Sequence, residues 1–588
     1  MKTQINPLTH LITIVIFLCM PWYTLAEENP LVGLWEGMFM EQFRVEIHIT
    51  ADDHDNFPGR IRMYDGSLMI QDDTLASIKL DSDTLSFLIP AKETWFEGRV
   101  LTEQKEVQGN FIFPDGSFHP VLFVKKFDPS SQSSNVNIAI DSRQTVDTIE
   151  SGKTEAVNLQ HATDPAVPRR EYDVAELRED LFYLKEQLSI HHPQYHLYTS
   201  EETYDDMYAS ILQQLDNNVT MGEFFTLIAP VVARVGCSHT GIRLPETYCI
   251  AQRGYGHYFP LKVMVTGSRM WVSQTSSGSE PIEAGAEILS INEVPVSSIL
   301  SELLTFIPSE GNNSTTKFYA LNKDFQYYFQ LMYGSEYFNV RFIHPGDEQP
   351  SSISLQAVLY DYIAGQDKKN VSSWPVWSFP DQYPEVAVLK VPTFALTDIN
   401  RYLEETDSIF SGINQADVKN LVIDLRGNDG GHPIFAAILF SYLVDEDFTW
   451  FRENKDVPDF KPLYQPMQAA NNNFKGNCYV LVDGGCLSTT GHLISLLKYH
   501  ERAVFIGEEP GSWFYCNDNS FQVCLPNTDI EVNIPRSTFI TAVEGYTLGD
   551  PFMVDYPVQE SIKDKLDGRD PCLEYAYFLI NKSEPYTH

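Results

Sequence analysis

The sequence is short of positive charge. Lys and Arg together number 41 against 80 Asp and Glu, which gives a formal net charge of −39 at pH 7. A surface this acidic repels the phosphates of nucleic acids and anionic membranes. We therefore expect neither of these among the partners of the protein.

Metal-binding and nucleotide-binding signatures are also lacking. No C-x-x-C pair or histidine cluster has zinc-site spacing, and no glycine-rich turn carries the Lys-Ser/Thr of a P-loop. The sequence therefore predicts no structural metal and no cofactor.

Cysteine is sparse, with eight residues in 588, and one of them, Cys19, lies in the first segment. Cys516 and Cys524 flank a short polar turn and could close a hairpin disulfide, while Cys237 and Cys249 bracket another loop. The seven cysteines beyond the first segment are an odd number, so at least one stays free or pairs between chains.

Only the first segment contains an apolar run of note, from 11 to 20, after a basic start. The small-residue site at 24–26 (TLA) completes the pattern of a secretory signal peptide over 1–26. The alternative is an uncleaved anchor, but the run is short for a span of about 20 residues. We therefore expect an exported protein without an integral membrane span after signal cleavage.

The length suggests about three or four domains. Residues 27–127 contain short period-two runs separated by Asp-Gly turns, and predict a small accessory β-barrel or sandwich. Residues 128–168 are rich in Ser, Asp, Thr and Gln, and predict a flexible linker.

Residues 169–250 predict a helical subdomain. Asp173 and Glu176 form a capping-box pattern, and four leucines then lie on one helix face: Leu177, Leu181, Leu184 and Leu188. A last helix ends near Gly236 and is followed at once by the sequence CSHT.

Residues 251–350 return to β character. The stretch 285–292 (GAEILSIN) leads into Pro295 and a short helix near Ile299. This resembles the core turn of a PDZ domain, which would offer a sheet edge to an extended peptide. An ordinary β-hairpin is the alternative.

Residues 351–588 alternate between strands and helices, which predicts an α/β core with a largely parallel sheet. The stretch 421–425 is apolar without alternation, as expected for a strand covered on both faces. The predicted strands are 386–391, 421–425, 479–483 and 504–507, and the predicted helices are 397–415, 433–444 and 489–499.

Two strand-to-helix junctions in this core are candidates for chemistry, because active sites of open α/β folds lie there. The first, 424–431 (DLRGNDGG), follows a buried strand with a glycine-rich turn, whose amides favour negative charge and suit an oxyanion hole. The second, 484–492 (GGCLSTTGH), places Ser488 at the start of a helix, with the Thr489 amide beside it. The alternative is that Ser488 is only a helix N-cap.

A nucleophilic serine needs a base. His239, in the loop sequence CSHTG, is the best candidate, although a loop histidine often has no role. His492 lies one turn into the helix and is expected to pack or bond locally.

These pieces, in this order, resemble the tail-specific protease family, which includes the carboxy-terminal processing proteases and the tricorn core protease. The resemblance covers roughly 172–580. It is carried by the His239 loop, the PDZ-like turn, 421–431 (LVIDLRGNDGG), the serine turn, 506–509 (IGEE) and 555–558 (DYPV).

The resemblance implies a multidomain α/β and β fold with a crotonase/Clp-like βαβ catalytic core. Processing proteases use a lysine in the loop that here reads 507–513 (GEEPGSW), which has none. The tricorn-like branch uses a histidine with a serine beside it, matching Ser238 and His239, and a distant acid, here Glu544 or else Asp550.

The implied mechanism has His239 take the proton of Ser488, while amides of Thr489 and of Gly430 or Gly431 hold the oxyanion. Several positions depart from the family pattern: Gly491 replaces a common glutamate, Pro510 a threonine and Val554 a proline.

The expected function is a serine-type endopeptidase acting on peptides or protein tails. Two alternatives remain: a non-catalytic binding protein on the same scaffold, and an esterase or amidase for small molecules. The sequence determines neither the substrate nor the oligomeric state.

Overall fold

A computed structural model of the chain describes the strands between residues 33 and 126, then residues 167–274, 282–360, 372–452 and 457–582. The predicted signal peptide and the predicted linker up to residue 166 lie outside the described residues. The chain divides into two compact units, 1–143 and 144–588.

The first unit is a closed antiparallel barrel of eight strands in sequential order, in which β1 pairs with β8 through Gly37 and Phe123. Alternate residues point inward, as in β5, where Leu85, Phe87 and Ile89 are buried and their neighbours are not. The strands are β1 Gly33–Phe39, β2 Phe43–Ile49, β3 Gly59–Asp65, β4 Leu68–Asp81, β5 Thr84–Ile89, β6 Thr94–Leu101, β7 Glu106–Ile112 and β8 Phe118–Lys126.

The second unit opens with three helices and a short strand pair. The bounds are β9 Glu171–Tyr172, α1 Val174–His191, α2 Glu201–Gln214, β10 Val219–Thr220 and α3 Met221–Ala233. The capping box of α1 is confirmed, since the Glu176 carboxylate accepts a hydrogen bond of 2.9 Å from the Asp173 amide. The four predicted leucines of α1 are all buried, so its apolar face packs inward as the sequence indicated.

An antiparallel sheet follows, with strand order β12-β13-β14-β16-β17 and β15 paired to β14. The predicted turn lies between β14 and β15, and Asn292 and Glu293 both have positive φ there. The expected domain boundary at 350/351 falls between β16 and β17, which pair in one sheet, so this sheet extends to Gln356. The bounds are β11 Gly241–Arg243, α4 Glu246–Tyr255, β12 Lys262–Thr266, β13 Arg269–Gln274, β14 Glu287–Ile291, β15 Val294–Pro295, α5 Val296–Leu303, α6 Ser314–Tyr333, β16 Tyr337–Ile343 and β17 Ser351–Gln356.

The core is a six-stranded sheet of order β18-β19-β20-β21-β22-β27, parallel except for β18 at one edge. The predicted parallel sheet is therefore confirmed. The bounds are β18 Val376–Ser378, β19 Val386–Lys390, α7 Ile399–Gln415, β20 Asn420–Asp424, α8 Pro433–Ser441, β21 Asn477–Val482, α9 Thr489–Tyr499, β22 Val504–Gly507, β27 Tyr556–Pro557, α10 Ile562–Asp567 and α11 Pro571–Lys582, with a 3-10 helix at Pro458–Tyr464.

Both faces of this sheet are covered. Side chains of β19, β20 and β21 pack on one face with α7, α8 and α9, and on the other face with α11. All five residues of β20 are buried, which explains its continuous apolar sequence.

Two small antiparallel sheets are formed mainly by the segment between β22 and β27. β24 Phe521–Cys524 pairs with β25 Glu531–Ile534, which pairs with β11, while β23 Tyr515–Asp518 pairs with β26 Ser537–Ile540. Cys516 and Cys524 therefore lie in different sheets, and the predicted hairpin disulfide between them is wrong. Cys237 and Cys249 are free as well.

In the part of the chain that the structure describes, we find no helix with the length and apolarity needed to cross a bilayer.

Candidate active site

Ser488 occupies a sharp turn between the end of β21 and the first residue of α9. Its φ of 52° and ψ of −123° are strained for a residue with a side chain, and such strain concentrates at functional sites. Ser488 is at the N-cap position, but its side chain makes no capping hydrogen bond. The N-cap interpretation therefore does not account for this serine.

The glycine-rich turn lies directly against Ser488. A Cβ on Gly430 would meet the Ser488 Cβ at 2.8 Å, and one on Gly431 would meet the Ala395 amide nitrogen at 2.1 Å. Both glycines also have positive φ, at 103° and 129°. Only glycine allows the backbone to approach the serine this closely.

Two polar side chains, the buried Asn428 and the partly buried Asp483, join the glycine turn to the serine turn. The Asn428 Oδ1 accepts hydrogen bonds from the Gly430 amide (3.0 Å) and the Thr490 hydroxyl (2.8 Å). The Asp483 Oδ1 accepts from the Gly427 amide (2.9 Å) and the Gly485 amide (3.0 Å). These bonds fix the relative position of the two turns.

The amides predicted to form the oxyanion hole differ in whether they already donate a hydrogen bond. The Gly430 amide is already bonded to Asn428, while the amides of Gly431 and Thr489 donate to no other described residue. Gly431 and Thr489 therefore retain free donors beside the serine.

His239 lies in the loop between α3 and β11. The Asn533 side-chain amide of β25 donates a hydrogen bond of 2.7 Å to the His239 carbonyl, and this holds the loop. The His239 Nδ1 is buried and has no hydrogen-bond partner among the described residues.

His492, in the first turn of α9, is buried and packs edge-on against the Phe451 ring, with centroids 5.2 Å apart. Burial and, to a smaller extent, the charge of His239 lower the pKa of His492 to about 3. The predicted packing of His492 is thus confirmed.

The Ser488 hydroxyl lies beside the Cys516 thiol of β23. Among the described residues, no hydrogen bond joins that hydroxyl to His239. The pKa of Cys516 is raised, first by burial and then by neighbouring charges that include Glu310 and Cys237. The serine and the histidine loop therefore border one polar cluster, and in free enzymes catalytic contacts are often longer than in the substrate complex.

A carboxylate that the sequence did not single out belongs to this cluster. The Glu310 Oε1 accepts hydrogen bonds from the Ser238 hydroxyl (2.7 Å) and the Ser238 amide (3.1 Å). Nothing local marks Glu310 in the sequence, since it lies in the loop between α5 and α6 without a recognisable motif.

Comparison with known proteins agrees with this geometry. The family model "Peptidase family S41" matches residues 385–518, which contain both the glycine turn and the serine turn. Residues 385–518 thus resemble the S41 peptidases, and the chain is a serine peptidase. No curated protein sequence matches it.

Solved structures similar to the peptidase support its fold. Mature CPAF is 13% identical over 70% of this chain and 99% of its own, with a TM-score of 0.51. Mature CPAF complexed with lactacystin is 14% identical over 69% of this chain and 97% of its own, with a TM-score of 0.50. At this identity the likeness concerns the fold alone.

The two acids predicted from sequence make no hydrogen bond to the histidine loop among the described contacts, although Asp550 lines the same cleft as Glu310. Glu544 and Asp550 are both exposed, and among the described contacts neither bonds to Ser238 or His239. Asp550 instead accepts a hydrogen bond of 2.8 Å from the Thr547 amide.

One group of side chains in the described residues has the chemistry of a divalent-metal site. The Cys237 sulfur, a ring nitrogen of His239 and a carboxylate oxygen of Glu310 lie within 4.8 Å of one another. Burial raises the pKa of Cys237 to about 12, so its thiol is protonated at neutral pH in the absence of a cation.

Proposed function

We propose that this peptidase is an exported endopeptidase that cleaves peptide bonds with Ser488 as nucleophile and His239 as general base. The observation that carries the proposal is the strained, uncapped Ser488 packed against Gly430, in the turn that also contains Gly431. A serine used only as an N-cap would need neither the strain nor the close glycines.

The chemistry follows from these positions. His239 takes the proton of Ser488 as the hydroxyl attacks a peptide carbonyl, and the carbonyl oxygen acquires negative charge. The free amides of Gly431 and Thr489, with the start of α9, stabilise that oxyanion. His239 then protonates the leaving amine, and water hydrolyses the acyl-enzyme.

Two further parts of the proposal concern the substrate and the compartment. The sheet of β12–β17 is proposed as the PDZ-like element that adds an extended peptide at its edge. The segment 1–26 is proposed as the signal for export, because it has the charge, apolar run and cleavage site of a signal peptide.

The test is labelling of the purified protein with a fluorophosphonate probe, which reacts with activated serines. We expect labelling of the wild type, none in Ser488→Ala, and a loss of at least about 10²-fold in His239→Ala. Peptide fragments from a peptide library, read by mass spectrometry, would separate a peptidase from an esterase.

Ser495→Ala and His500→Ala are the matched controls, because both residues lie on or next to α9 and neither takes part in the proposed chemistry. Both should label at the wild-type rate. A folded wild type that is not labelled would reject the proposal and favour a binding function.

A further inference from the structure

Glu310 is fixed next to the proposed base by two hydrogen bonds from one residue. Both bonds, from the amide and the hydroxyl of Ser238, end on the same oxygen, Oε1. The second oxygen, Oε2, is buried and has no hydrogen-bond partner among the described residues. The carboxylate is thus held firmly while half of its accepting capacity stays unused.

His239 also has a buried polar atom without a hydrogen-bond partner among the described residues. This atom is its Nδ1, and one of its ring nitrogens lies within 4.8 Å of a Glu310 carboxylate oxygen. A buried polar atom without a partner is destabilising, so the nearness of the two groups favours a hydrogen bond between the ring and the carboxylate. When one ring nitrogen serves the serine, the other is the one that an acid orients.

The charges of the two groups support one another. Burial raises the pKa of Glu310, while the hydrogen bonds from Ser238 and the positive charge of His239 oppose that rise. A carboxylate at this position stabilises the imidazolium that forms when His239 takes the serine proton, and low exposure to water strengthens the attraction.

The acids predicted from sequence lack these features. Glu544 and Asp550 are exposed, so water screens their effect on the partly buried His239 ring. Glu310 is held by Ser238, the immediate neighbour of the base, and needs no movement to reach the loop.

We infer that Glu310 is the acidic partner of His239, held in place by Ser238, and that it takes the position expected for Glu544 or Asp550. This inference rests on the proposed function for its catalytic meaning. Glu310 orients the base and stabilises its charged form, so it is a positioning residue rather than one that touches substrate.

The test compares Glu310→Gln with the wild type in the rate of fluorophosphonate labelling across pH 5 to 9, in buffer containing a chelator. Glutamine keeps an acceptor for Ser238 but removes the negative charge. We expect a loss of about 10²- to 10⁴-fold at the plateau. The midpoint of the pH profile should fall by about one pH unit, because a less stabilised imidazolium loses its proton earlier.

Three variants serve as controls. Glu509→Gln removes a carboxylate that lines the same cleft as Glu310, and Glu544→Gln and Asp550→Asn remove the rival acids. All three should retain the wild-type rate and midpoint. Glu310→Asp, which keeps the charge, should recover part of the rate lost in Glu310→Gln.

Two results would overturn the inference: a Glu310→Gln enzyme that matches the wild type in rate and midpoint, or a comparable loss in Glu544→Gln or Asp550→Asn. A Glu310→Gln protein that melts at the wild-type temperature shows that a rate loss is not caused by unfolding.

A second measurement does not depend on catalysis. In protein labelled with isotopic histidine, the His239 ring resonances, assigned with His239→Asn, should titrate at lower pH in Glu310→Gln than in the wild type. The same midpoint in both would reject the pairing. An unlabelled wild type with a shifted midpoint would reject the proposed function and leave the pairing intact.

Discussion

The two sides of the candidate site are built in different ways. On the serine side, Ser488 meets the glycine turn through backbone contacts within one parallel sheet and its loops. On the histidine side, the loop is held by side chains from remote segments, with Glu310 72 positions and Asn533 294 positions away. One side is made of main chain and the other of side-chain hydrogen bonds.

This difference predicts how substitutions on each side affect the stability and the rate of the enzyme. A main-chain contact leaves no room for a side chain, so substitution there strains the fold itself. A side-chain hydrogen bond can be removed singly, at a cost of about 1 kcal/mol, and leaves the fold intact. The serine side should therefore fail by unfolding and the histidine side by loss of rate.

The largest expected effect is that of Gly431→Ala. The added Cβ would lie 2.1 Å from the Ala395 nitrogen, at a φ of 129° that alanine avoids. We expect a loss of about 3 kcal/mol or more in the free energy of unfolding, measured by urea denaturation, together with loss of labelling.

Gly254→Ala is the control for this substitution. Gly254 lies in α4, where an added methyl group would meet no described heavy atom within 4 Å and where alanine favours the helix. It should leave stability unchanged or raise it slightly. If Gly431→Ala were as stable as the wild type, the serine side would not depend on close backbone packing, and the proposed contrast with the histidine side would be rejected.

A smaller effect is expected at Asp570, which anchors the start of the glycine turn. Arg426 donates two hydrogen bonds to Asp570, of 2.8 and 2.7 Å, and also bonds Asp424 at the end of β20. We expect Asp570→Asn to lose about 1–2 kcal/mol of unfolding free energy at pH 7, because Asp570 is partly exposed and the pair is partly screened.

The loss should depend on pH in a defined direction. Burial by itself would raise the pKa of Asp570, but the hydrogen bonds and charge of Arg426 bring it below its usual value. A lowered pKa gives stability that is present above the unfolded value of about 3.9 and is lost as pH falls through the folded value. Denaturation curves of the variant and the wild type should therefore converge below about pH 4, and a constant gap would contradict the assignment.

The smallest effect on stability is expected at Asn533, on the histidine side. Asn533→Ala removes the hydrogen bond to the His239 carbonyl and should cost about 1 kcal/mol. The freed loop should lower the labelling rate by about tenfold, since orientation of the base contributes strongly to rate. Gln522→Ala, in the neighbouring strand β24, should change neither quantity, and a similar rate loss there would implicate the sheet instead of the bond.

Local patterns predicted much of the fold. The apolar spacing and capping box of α1 indicated its start and its buried face, and the uniform apolar sequence of β20 indicated cover on both faces. The Cys516–Cys524 disulfide that the sequence allowed does not form, because the strands that carry the two cysteines join different sheets and nearness in sequence does not decide pairing.

The candidate site was predictable only in part. Ser488 and the glycine turn are marked by their own neighbours in sequence, since a strand, a turn and a helix follow one another there. No neighbouring residue in the sequence identifies Glu310 as part of the site. It is identified by its hydrogen bonds with Ser238, which lies 72 positions away in the sequence and is brought beside it by folding.

The sequence by itself determined the strand–turn–helix segments that present Ser488 and the glycines, because backbone conformation depends on residues a few positions apart. The tertiary structure alone decided which amides stay free, which acid lies beside His239 and which cysteines stay apart. Those outcomes depend on contacts between distant segments, and a hydrogen bond or a buried charge acts over distance in space rather than along the chain.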